Sequence, residues 1–546
     1  MASPLFRKIA WRIVLLVSAV VSVAWFFRFH ILSGFTRFSG DSYDAMIEVS
    51  ILQHWQNVFA GHEAWNNVAY FQPARQSLGY NDGYFLYGVI YAIARAAGLP
   101  LVAAAECVNV VMKLIGFFGM YAFLARTATR RAPLALFGAV LFTIADITLI
   151  HVNHAQLLTI ALAPVAALWA WNAMAALYAG DRRALLRNGL AFALLFASWI
   201  STAYYPAWFF GFFLLLMLAI YLAAGRGHFG KLFDAVKRMP GTVAVVAAAL
   251  MAFLTPFLIV YGSKAVETGS RGFSGVRRTT ITPIELLNPG NANGVWSNVY
   301  AFVTGMFPQA TPQDAVFSVA PVLLVVAIVA VVRGVRSRAP MNEWRLIAVV
   351  LGVSWLLVMR IGPVTPWYAV HLVVPGASAL RVIGRFQLIL LLPCIALAVR
   401  ALDGVRHRGL AALLAAALLA EQAAGTSAPV KLDQSAQLAM IADVPAPPPA
   451  CRYFVVRSGR PYAYPVQDPK NDAIYAHNVD AMVLAEAHRL PMLNGFSSFN
   501  PPGWDFADPA RPDFPDRTRA YAARYGLTDV CMLDRQHANN WIPIAT

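Results

Sequence analysis

The chain has 546 residues, of which 59% are hydrophobic and only 13% are charged. Soluble domains carry about a quarter charged residues, so this composition excludes an ordinary soluble enzyme. Repeated apolar runs of about twenty residues predict an α-helical protein that crosses the membrane many times. The formal net charge of +16 is typical both of nucleic-acid-binding proteins and of membrane proteins with basic cytoplasmic loops.

Eleven apolar runs are long enough to be predicted as membrane-spanning helices. In chain order they are 9–29, 102–125, 132–150, 155–178, 187–204, 206–225, 240–260, 316–333, 345–361, 384–400 and 408–424. The first run has no persuasive cleavage site of small residues, so we interpret it as a retained anchor. The shorter run 84–97 is interpreted as a helix in the outer interface, because a further crossing there would turn every later basic loop outward.

The positive charge is concentrated on one side of this predicted topology. If the N-terminus is cytoplasmic, the N-terminal segment and five turns between spans hold twenty basic and four acidic residues. They account for the whole excess of +16, because the remaining 23 basic and 23 acidic residues cancel. This is the positive-inside pattern of membrane proteins, so nucleic acid is not needed to explain the charge. The C-terminus is then predicted to lie outside.

Three parts of the chain are predicted to lie outside the membrane. The membrane domain, residues 1–425, carries a first loop at 30–101 and a second large loop at 261–315. An Ala- and Pro-rich linker follows at 426–450, and residues 451–546 form a separate C-terminal domain.

Short β-rich runs and helical patterns alternate in the C-terminal domain and predict a small α/β fold. The strands are predicted at 451–456 and 528–533, and the helices at 472–489 and 515–525. An oxidising compartment permits a disulfide between Cys451 and Cys531. The intervening loop NGFSSFNPPGW (494–504) suits either a carbohydrate-facing surface or an ordinary turn.

Three carboxylates follow the first span in the stretch FSGDSYDAMIEVS. Asp41, Asp44 and Glu48 are spaced i, i+3, i+7, which places them on one face of a helix. The opposite face is apolar and contains Trp55, so residues 44–60 are predicted to form an amphipathic helix on the outer surface. Helix capping and the helix dipole offer a purely structural explanation of the two aspartates.

Further polar and aromatic side chains recur at the outer ends of the predicted spans, where such residues are often functional. They are Tyr80, Asn81, Asp82, His151, Asn153, His154, Tyr204, Tyr205, Lys264, Arg271, Arg277, Arg278, Arg381 and Arg385. Each has a structural alternative: a histidine at a span end is more often an interfacial residue. Arg381 and Arg385 lie four residues apart and can face one anion, or they contact lipid headgroups.

This arrangement resembles the GT-C superfamily of membrane glycosyltransferases, which includes the protein mannosyltransferases and the oligosaccharyltransferases. The resemblance is carried by the GDSYD element (40–44) after one anchor span, the two interfacial helices and the LARTATRR segment (124–131). The RVIGRF element (381–386) before a late span and the NGFSS loop are also similar to bacterial members. The resemblance implies a GT-C-like fold of about eleven spans with interfacial helices in the first outer loop and a small α/β C-terminal periplasmic domain.

The family uses a polyprenyl-phosphate-linked sugar as donor, and the resemblance assigns roles to individual residues here. The catalytic carboxylate, a general base that takes the proton of the acceptor hydroxyl in an inverting transfer, is Asp41, with Asp44 as the alternative. The donor phosphate is assigned to Arg381, Arg385, Lys264, Arg271, Arg277 and Arg278. The acceptor or sugar is assigned to Glu48, Tyr80, Asn81, Asp82, His151, Asn153, His154, Tyr204 and Tyr205.

Metal use is left open by a departure from the family pattern. Many members carry a second acid at the outer end of the third span, whereas this chain has HVNH at 151–154. Either no cofactor is used, or a divalent cation such as Mg²⁺ or Mn²⁺ binds Asp41 and His154.

The sequence therefore predicts an integral membrane glycosyltransferase, transferring a hexosyl or pentosyl group to a glycan, lipid or protein acceptor. By its resemblance it would lie in a bacterial inner membrane, with its active site at the periplasmic face. The alternatives are a polyprenyl-linked polysaccharide polymerase or ligase, a lipid or solute transporter, and a scaffold that presents its C-terminal domain. A transporter would place charged residues near the bilayer midplane. The predicted spans are nearly free of charge away from their ends, and Lys113 is the clear exception.

Overall fold

The computed structural model describes residues 4–290, 292–306, 316–457, 469–497, 499–537 and 539–544. The predicted helical membrane architecture is confirmed. The helices of the first half are α1 (Pro4–Phe26), α2 (Arg28–Leu32), α3 (Asp44–Phe59), α4 (Phe85–Ala96), α5 (Leu101–Thr127), α6 (Ala132–Ile144), α7 (Asp146–Ile150), α8 (Ala163–Ala179), α9 (Arg182–Ile200), α10 (Tyr204–Ala223), α11 (Arg226–Arg238) and α12 (Pro240–Thr268).

The second half adds ten helices and most of the small β-structure. The helices are α13 (Phe273–Arg277), α14 (Ser297–Met306), α15 (Pro321–Arg336), α16 (Glu343–Val358), α17 (Trp367–Val373), α18 (Phe386–Gly404), α19 (Arg408–Ala423), α20 (Gln434–Ala442), α21 (Pro469–His488) and α22 (Phe514–Arg524). The strands are β1 (Arg37–Phe38), β2 (Leu432–Asp433), β3 (Tyr453–Arg457), β4 (Val530–Asp534) and β5 (Asn540–Pro543).

Eight helical segments among the described residues are long and apolar enough to cross a membrane, and the chain is a multi-pass membrane protein. They are Phe6–Phe26, Leu101–Thr127, Ala132–Ile150, Ala155–Ala179, Arg182–Ile200, Tyr204–Ala223, Pro240–Thr268 and Ile383–Gly404. The other three predicted spans correspond to α15, α16 and α19, which have 16 residues each. Such helices are about 24 Å long, shorter than the hydrocarbon core of about 30 Å.

The strand pairing limits how many segments can cross. β1, at the start of the first outer loop, pairs antiparallel with β2 near the C-terminal domain, so both lie on the same side of the membrane. Seven of the eight candidate spans lie between these strands, and an odd number of crossings would separate the two strands. If all seven candidates cross, an odd number of the shorter helices crosses as well. The predicted total of eleven satisfies this condition and stays a prediction.

The turns that are predicted to be cytoplasmic meet at the other end of the molecule. Arg131, after α5, forms an ion pair with Asp403 at the end of α18, with Arg131 Nε 3.1 Å from Asp403 Oδ1. The guanidinium of Arg400 lies 5.1 Å from the ring centroid of Trp344, at the start of α16. These contacts join three turns that the charge count places on the cytoplasmic side.

Lys113, the charged residue that stands out within the predicted spans, contacts polar and aromatic groups of the protein itself. Lys113 Nζ donates hydrogen bonds to the Thr143 carbonyl oxygen at 3.0 Å and to Thr148 Oγ1 at 2.7 Å. The same ammonium lies 3.5 Å from the ring centroid of Phe26. Lys113 therefore holds α1, α5 and α6–α7 together, an arrangement that accounts for the charge without a transport role.

The two predicted interfacial helices pack against each other as α3 and α4. Trp55 lies on the face of α3 that was predicted to be apolar, and its Nε1–H donates to the Gly83 carbonyl oxygen at 2.6 Å. A Cβ at Gly88 of α4 would collide with the Trp55 indole, so glycine permits this close approach. α3 also contacts α21, so the first loop and the C-terminal domain pack together.

The C-terminal domain has the predicted strands and helices around a three-stranded sheet. β3 pairs parallel with β4, and β4 pairs antiparallel with β5. A disulfide joins Cys451 to Cys531, whose Cα atoms are 5.5 Å apart. The segment 426–450, which was predicted as a linker, contains β2 and α20 and is thus part of the folded outer region.

Candidate active site

Asp41 lies where the first loop meets the segment that leads to the C-terminal domain. The Gly40 N–H donates to the Pro429 carbonyl oxygen at 2.6 Å, and the Lys431 N–H donates to the Gly40 carbonyl oxygen at 2.9 Å. Gly40 has a φ of 82°, a conformation that favours glycine. These contacts fix the backbone immediately before Asp41.

Asp41 precedes α3 and does not lie on the helix, because the helix begins at Asp44. Asp41 Oδ1 accepts a hydrogen bond from the Tyr43 N–H at 3.0 Å, so the structural explanation of this aspartate, a turn that leads into the helix, is realised in part. Burial raises the pKa of Asp41, although the backbone N–H groups and the charge of Lys431 oppose this effect. A partly buried carboxylate of raised pKa is a stronger base than one in water.

Asp44 and His154 come together although 110 positions separate them in the sequence. His154 Nδ1 lies 3.2 Å from Asp44 Oδ2. Burial, followed by the positive charges of Arg385, His151 and Arg381, holds the pKa of His154 well below its usual value. His154 is therefore neutral at pH 7, and its contact with Asp44 is a close approach of a neutral imidazole to a carboxylate.

Three predicted phosphate-binding arginines converge beside this pair. The backbone N–H of Arg381 donates to Tyr205 Oη at 2.6 Å, and the Arg385 guanidinium lies 5.3 Å from the Tyr205 ring centroid. Burial is the main cause that lowers the pKa of Arg271, and the charge of Arg381 lowers it further, so these two guanidinium groups are close enough to repel each other. Such a group of like charges favours an anion.

Two of these arginines have buried N–H groups that find no acceptor in the protein. The Nε atoms of Arg271 and Arg385 are buried without a hydrogen-bond partner. Within the described part of the chain, neither these two side chains nor that of Arg381 forms an ion pair with a carboxylate within 4.0 Å. Buried N–H groups of a guanidinium are costly to leave unpaired, so the cluster is suited to an anionic ligand.

Asp82 connects the first loop to α10 at the edge of this cluster. Asp82 Oδ1 accepts a hydrogen bond from the Tyr204 N–H at 2.8 Å. Burial raises its pKa to about 6, while this hydrogen bond and the charge of Arg385 oppose the increase. Tyr204 Oη donates to the Gly376 carbonyl oxygen at 2.9 Å, so Tyr204 holds the 366–386 turn against the first loop.

The loop 494–504 of the C-terminal domain reaches the same place. The guanidinium of Arg271 lies 4.5 Å from the ring centroid of Phe499. Asn81 Nδ2 donates to the Phe496 carbonyl oxygen at 3.3 Å and to Tyr70 Oη at 3.0 Å. The domain therefore adds an aromatic surface to the arginine cluster.

Other predicted residues lie apart from this cluster or are engaged elsewhere. Lys264 Nζ forms an ion pair with Glu267 Oε2 at 2.7 Å and donates to Tyr80 Oη at 3.0 Å. Arg277 and Arg278 are exposed at the end of α13. The donor-phosphate role of these three basic residues stays a prediction.

The remaining polar candidates are mostly buried. Glu48 lies within a small cavity that Glu106 also lines, and burial, followed by the charge of Glu106, raises the pKa of Glu48 well above its usual value. His151 stacks on Phe317, with ring centroids 5.0 Å apart. A Cβ at Gly40 would lie 3.6 Å from the Asn153 Cα, so Asn153 is beside the aspartate segment.

The predicted metal ligands, Asp41 and His154, have few other possible ligand atoms around them. Among the described residues, Asp41 and His154 do not belong to a group of three histidine, cysteine or carboxylate side chains whose ligand atoms all lie within 4.8 Å of one another. Catalytic zinc sites are built from three protein ligands, whereas Mg²⁺ is usually held by one or two carboxylates together with water and substrate phosphate oxygens. The described side chains at this end do not form a set of three ligands, and the use of Mg²⁺ or Mn²⁺ at Asp41 and His154 stays a prediction.

Two contributors were not identified from the sequence. Lys431 lies in the predicted linker and comes next to Asp41 only because the strands β1 and β2 pair. Phe499 belongs to the predicted loop, but nothing in the local sequence links it to Arg271. Both contacts join segments hundreds of residues apart, so periodicity and motif spacing carry no signal for them.

Comparisons with known proteins give matches only among solved structures. No protein-family model and no curated protein matches the chain. The chain matches the arabinofuranosyltransferase AftD from Mycobacteria with 14% identity and a TM-score of 0.49, covering 89% of this chain and 32% of that one. It matches ArnT from Cupriavidus metallidurans in the apo state with 13% identity and a TM-score of 0.37, covering 96% and 93%.

The chain thus spans about a third of the length of the arabinofuranosyltransferase that it matches. Identities this low and TM-scores below 0.5 leave activity and substrate to be argued from this chain's own residues.

Proposed function

We propose that the chain is a membrane glycosyltransferase that moves a sugar from a polyprenyl-phosphate-linked donor to a hydroxyl acceptor at the periplasmic face. The observation that carries this proposal is the convergence of Asp41, the Asp44–His154 pair and three arginines at the end of the spans that faces the C-terminal domain. One base and a cluster of cations at a membrane surface are the groups that this reaction requires.

The arginines would act on the leaving group. When the bond between the anomeric carbon and the phosphate oxygen breaks, its electron pair stays on the phosphate, which leaves as an anion and needs no proton. The guanidinium groups of Arg271, Arg381 and Arg385 would stabilise this developing charge. The apolar tail of the donor would remain among the spanning helices.

The aspartates would act on the acceptor. As the acceptor oxygen attacks the anomeric carbon, its hydroxyl proton must be removed, and the raised pKa of Asp41 makes this carboxylate suited to accept it. A single displacement of this kind inverts the configuration at the anomeric carbon. Asp44, whose Oδ2 lies 3.2 Å from His154 Nδ1, is the alternative base.

A transfer assay with purified protein and defined polyprenyl-phosphate sugars tests the proposal. Asp41→Asn keeps the acceptor for the Tyr43 N–H and removes the base, so we expect product formation to fall by at least about 100-fold. Asp44→Asn, measured in parallel, distinguishes the two aspartates. The matched control is Asp433→Asn on the neighbouring strand β2, where asparagine caps α20 as aspartate does.

One outcome of this assay would contradict the proposal. If Asp41→Asn and Asp44→Asn both transfer sugar at the rate of the Asp433→Asn control, the carboxylates are not the base and the proposed chemistry is wrong. Monodispersity on size-exclusion chromatography separates loss of activity from loss of folding.

The proposed enzyme lies in a bacterial inner membrane with the N-terminus in the cytoplasm. The sugar would be a hexose or pentose, and the acceptor a glycan, a lipid or a protein. Asp82, Asn81 and the ring of Phe499 lie next to the cluster and offer hydrogen bonds and an apolar face of the kind that sugars bind.

A further inference from the structure

A second group of ligating side chains lies where the first outer loop contacts the C-terminal domain. His54 lies near the end of α3, Glu63 follows in the next turn, and Glu486 lies near the end of α21. One ligand atom from each lies within 4.8 Å of the other two. His54 follows Asp44 by ten residues, about 15 Å along the helix, so this group is separate from the candidate active site.

Hydrogen bonds from outside the group orient two of the three side chains. His54 Nε2 lies 3.3 Å from the Trp65 carbonyl oxygen, which must accept its N–H. His54 Nδ1 lies 2.6 Å from Glu63 Oε2, so one proton is shared by these two atoms, and a metal ion bound between them would replace it. The Ala69 N–H binds Glu486 Oε1 at 2.9 Å, which leaves Oε2 facing the group. A carbonyl that fixes the tautomer of a histidine is the usual partner of a histidine that binds a metal.

Among the described residues, His54 is the only basic side chain that pairs with either carboxylate of the group. His54 and Glu486 are fully buried, and Glu63 is partly exposed. Asn57 Nδ2 donates to Glu63 Oε1 at 2.8 Å and to Glu486 Oε2 at 3.2 Å. Within the described residues, neither carboxylate forms an ion pair with a lysine or arginine.

Neighbouring buried anions require a shared cation. One carboxylate oxygen of Glu63 lies within 4.8 Å of one of Glu486, and the two side chains share Asn57 as a donor. Two carboxylates this close cannot both remain charged without compensation. A proton on Glu486 neutralises one of the two charges. A divalent cation neutralises both, and it also takes the lone pair of His54 Nδ1 when the proton shared with Glu63 is released.

We propose that His54, Glu63 and Glu486 bind a divalent cation of the zinc class. One imidazole nitrogen and two carboxylates form a ligand set that suits Zn²⁺, whereas Mg²⁺ and Ca²⁺ prefer oxygen ligands alone. The ion would join α3 to α21, and it would thereby fix the first loop, which carries Asp41, against the domain that carries Phe499. Its role is to hold the two outer parts together.

The experiment measures metal content in the full-length protein in detergent, purified without a metal-affinity step. The protein is incubated with ZnCl₂, dialysed and analysed by mass spectrometry for elements. We expect about one Zn²⁺ per wild-type chain and its loss in His54→Ala and Glu486→Gln, which each remove one of three ligands. We also expect a chelator to lower the thermal unfolding midpoint of the wild type and to leave both variants unchanged.

Two controls separate this site from others. His62→Ala, at an exposed histidine in the same turn, and His154→Ala, at the candidate active site, should both retain the ion. If Glu486→Gln does not fold, Glu63→Gln replaces it, because Glu63 is partly exposed. A wild-type chain without Zn²⁺, or retention of the ion in both His54→Ala and the glutamine variant, would overturn the proposal, whatever the transfer activity.

Discussion

Arginine occurs at both ends of α18, and the two ends illustrate two uses of the same residue. Arg385 precedes the helix at the outer end, where it faces Tyr205, Asp82 and His154. Arg400 lies at the end that the charge count predicts to be cytoplasmic, is exposed, and contacts the Trp344 ring.

The difference extends to the whole molecule. Almost all of the basic side chains that the charge count assigns to the cytoplasmic turns are exposed, as expected of residues that orient a chain in the membrane. The outer arginines Arg271 and Arg385 are partly buried, and their Nε atoms lack a hydrogen-bond partner. The number of charges therefore indicates the topology, whereas their convergence and burial indicate a binding site.

The largest effect is expected from labelling the two ends with a membrane-impermeant maleimide. Ala510→Cys lies on an exposed part of the C-terminal domain, and Ala339→Cys lies on an exposed turn between α15 and α16. In sealed spheroplasts of a strain carrying Cys107→Ala, we expect Ala510→Cys to react and Ala339→Cys to react only after permeabilisation. The reverse pattern would place the arginine cluster on the cytoplasmic side and would contradict the assignment of the two ends of α18.

The second-largest effect is expected from substituting Arg385, which precedes α18, and comparing it with Arg400 near the other end of that helix. Arg385→Ala should lower kcat/KM for sugar transfer by roughly 100- to 1000-fold, because it removes a charge that stabilises the leaving phosphate. Arg400→Ala, which removes an exposed contact with Trp344, should change it by less than about twofold. Steady-state kinetics with a polyprenyl-phosphate sugar provides the measurement. Equal effects of the two substitutions would show that position along the helix does not matter.

The sequence predicted the helical membrane architecture because spans of twenty apolar residues are strong local signals. It also indicated which side chains lie at the outer ends, including Asp44, His154 and Arg385. It could not predict that these three come together, since their contacts depend on how separate helices pack. The shared helix face of Asp41, Asp44 and Glu48 shows the same limit, because α3 begins at Asp44 and places Glu48 in a buried cavity.

A smaller effect is expected at the aromatic surface of the C-terminal domain. Phe499→Ala removes the ring that lies over the Arg271 guanidinium, a contact worth about 0.5–1 kcal/mol, so kcat/KM should fall about two- to fivefold. Phe499→Trp should retain the contact. Tyr525→Ala is the control, because Arg524 lies over its ring outside the candidate site. A loss at Tyr525 as large as that at Phe499 would indicate a general effect on the domain.

The smallest effect concerns the pH dependence of transfer and tests Asp41 as the base. The proposed mechanism needs the ionised carboxylate, so kcat/KM should fall as the pH falls through the pKa of Asp41, which burial raises. Lys431 stabilises the ionised form and lowers this pKa. Lys431→Ala should therefore move the acid limb of the profile to higher pH, whereas Lys431→Arg, which keeps the charge, should not move it.

The size of this shift follows from the exposure of Lys431. An exposed ion pair contributes about 0.2–1 kcal/mol, which corresponds to about 0.2–0.7 pH unit. The N–H of Lys431 that binds Gly40 belongs to the backbone, so the substitution leaves that contact in place. A limb that stays at the same pH in Lys431→Ala, but moves in Asp44→Asn, would assign the proton transfer to Asp44. The arginines would then act beside a different base in the same cluster.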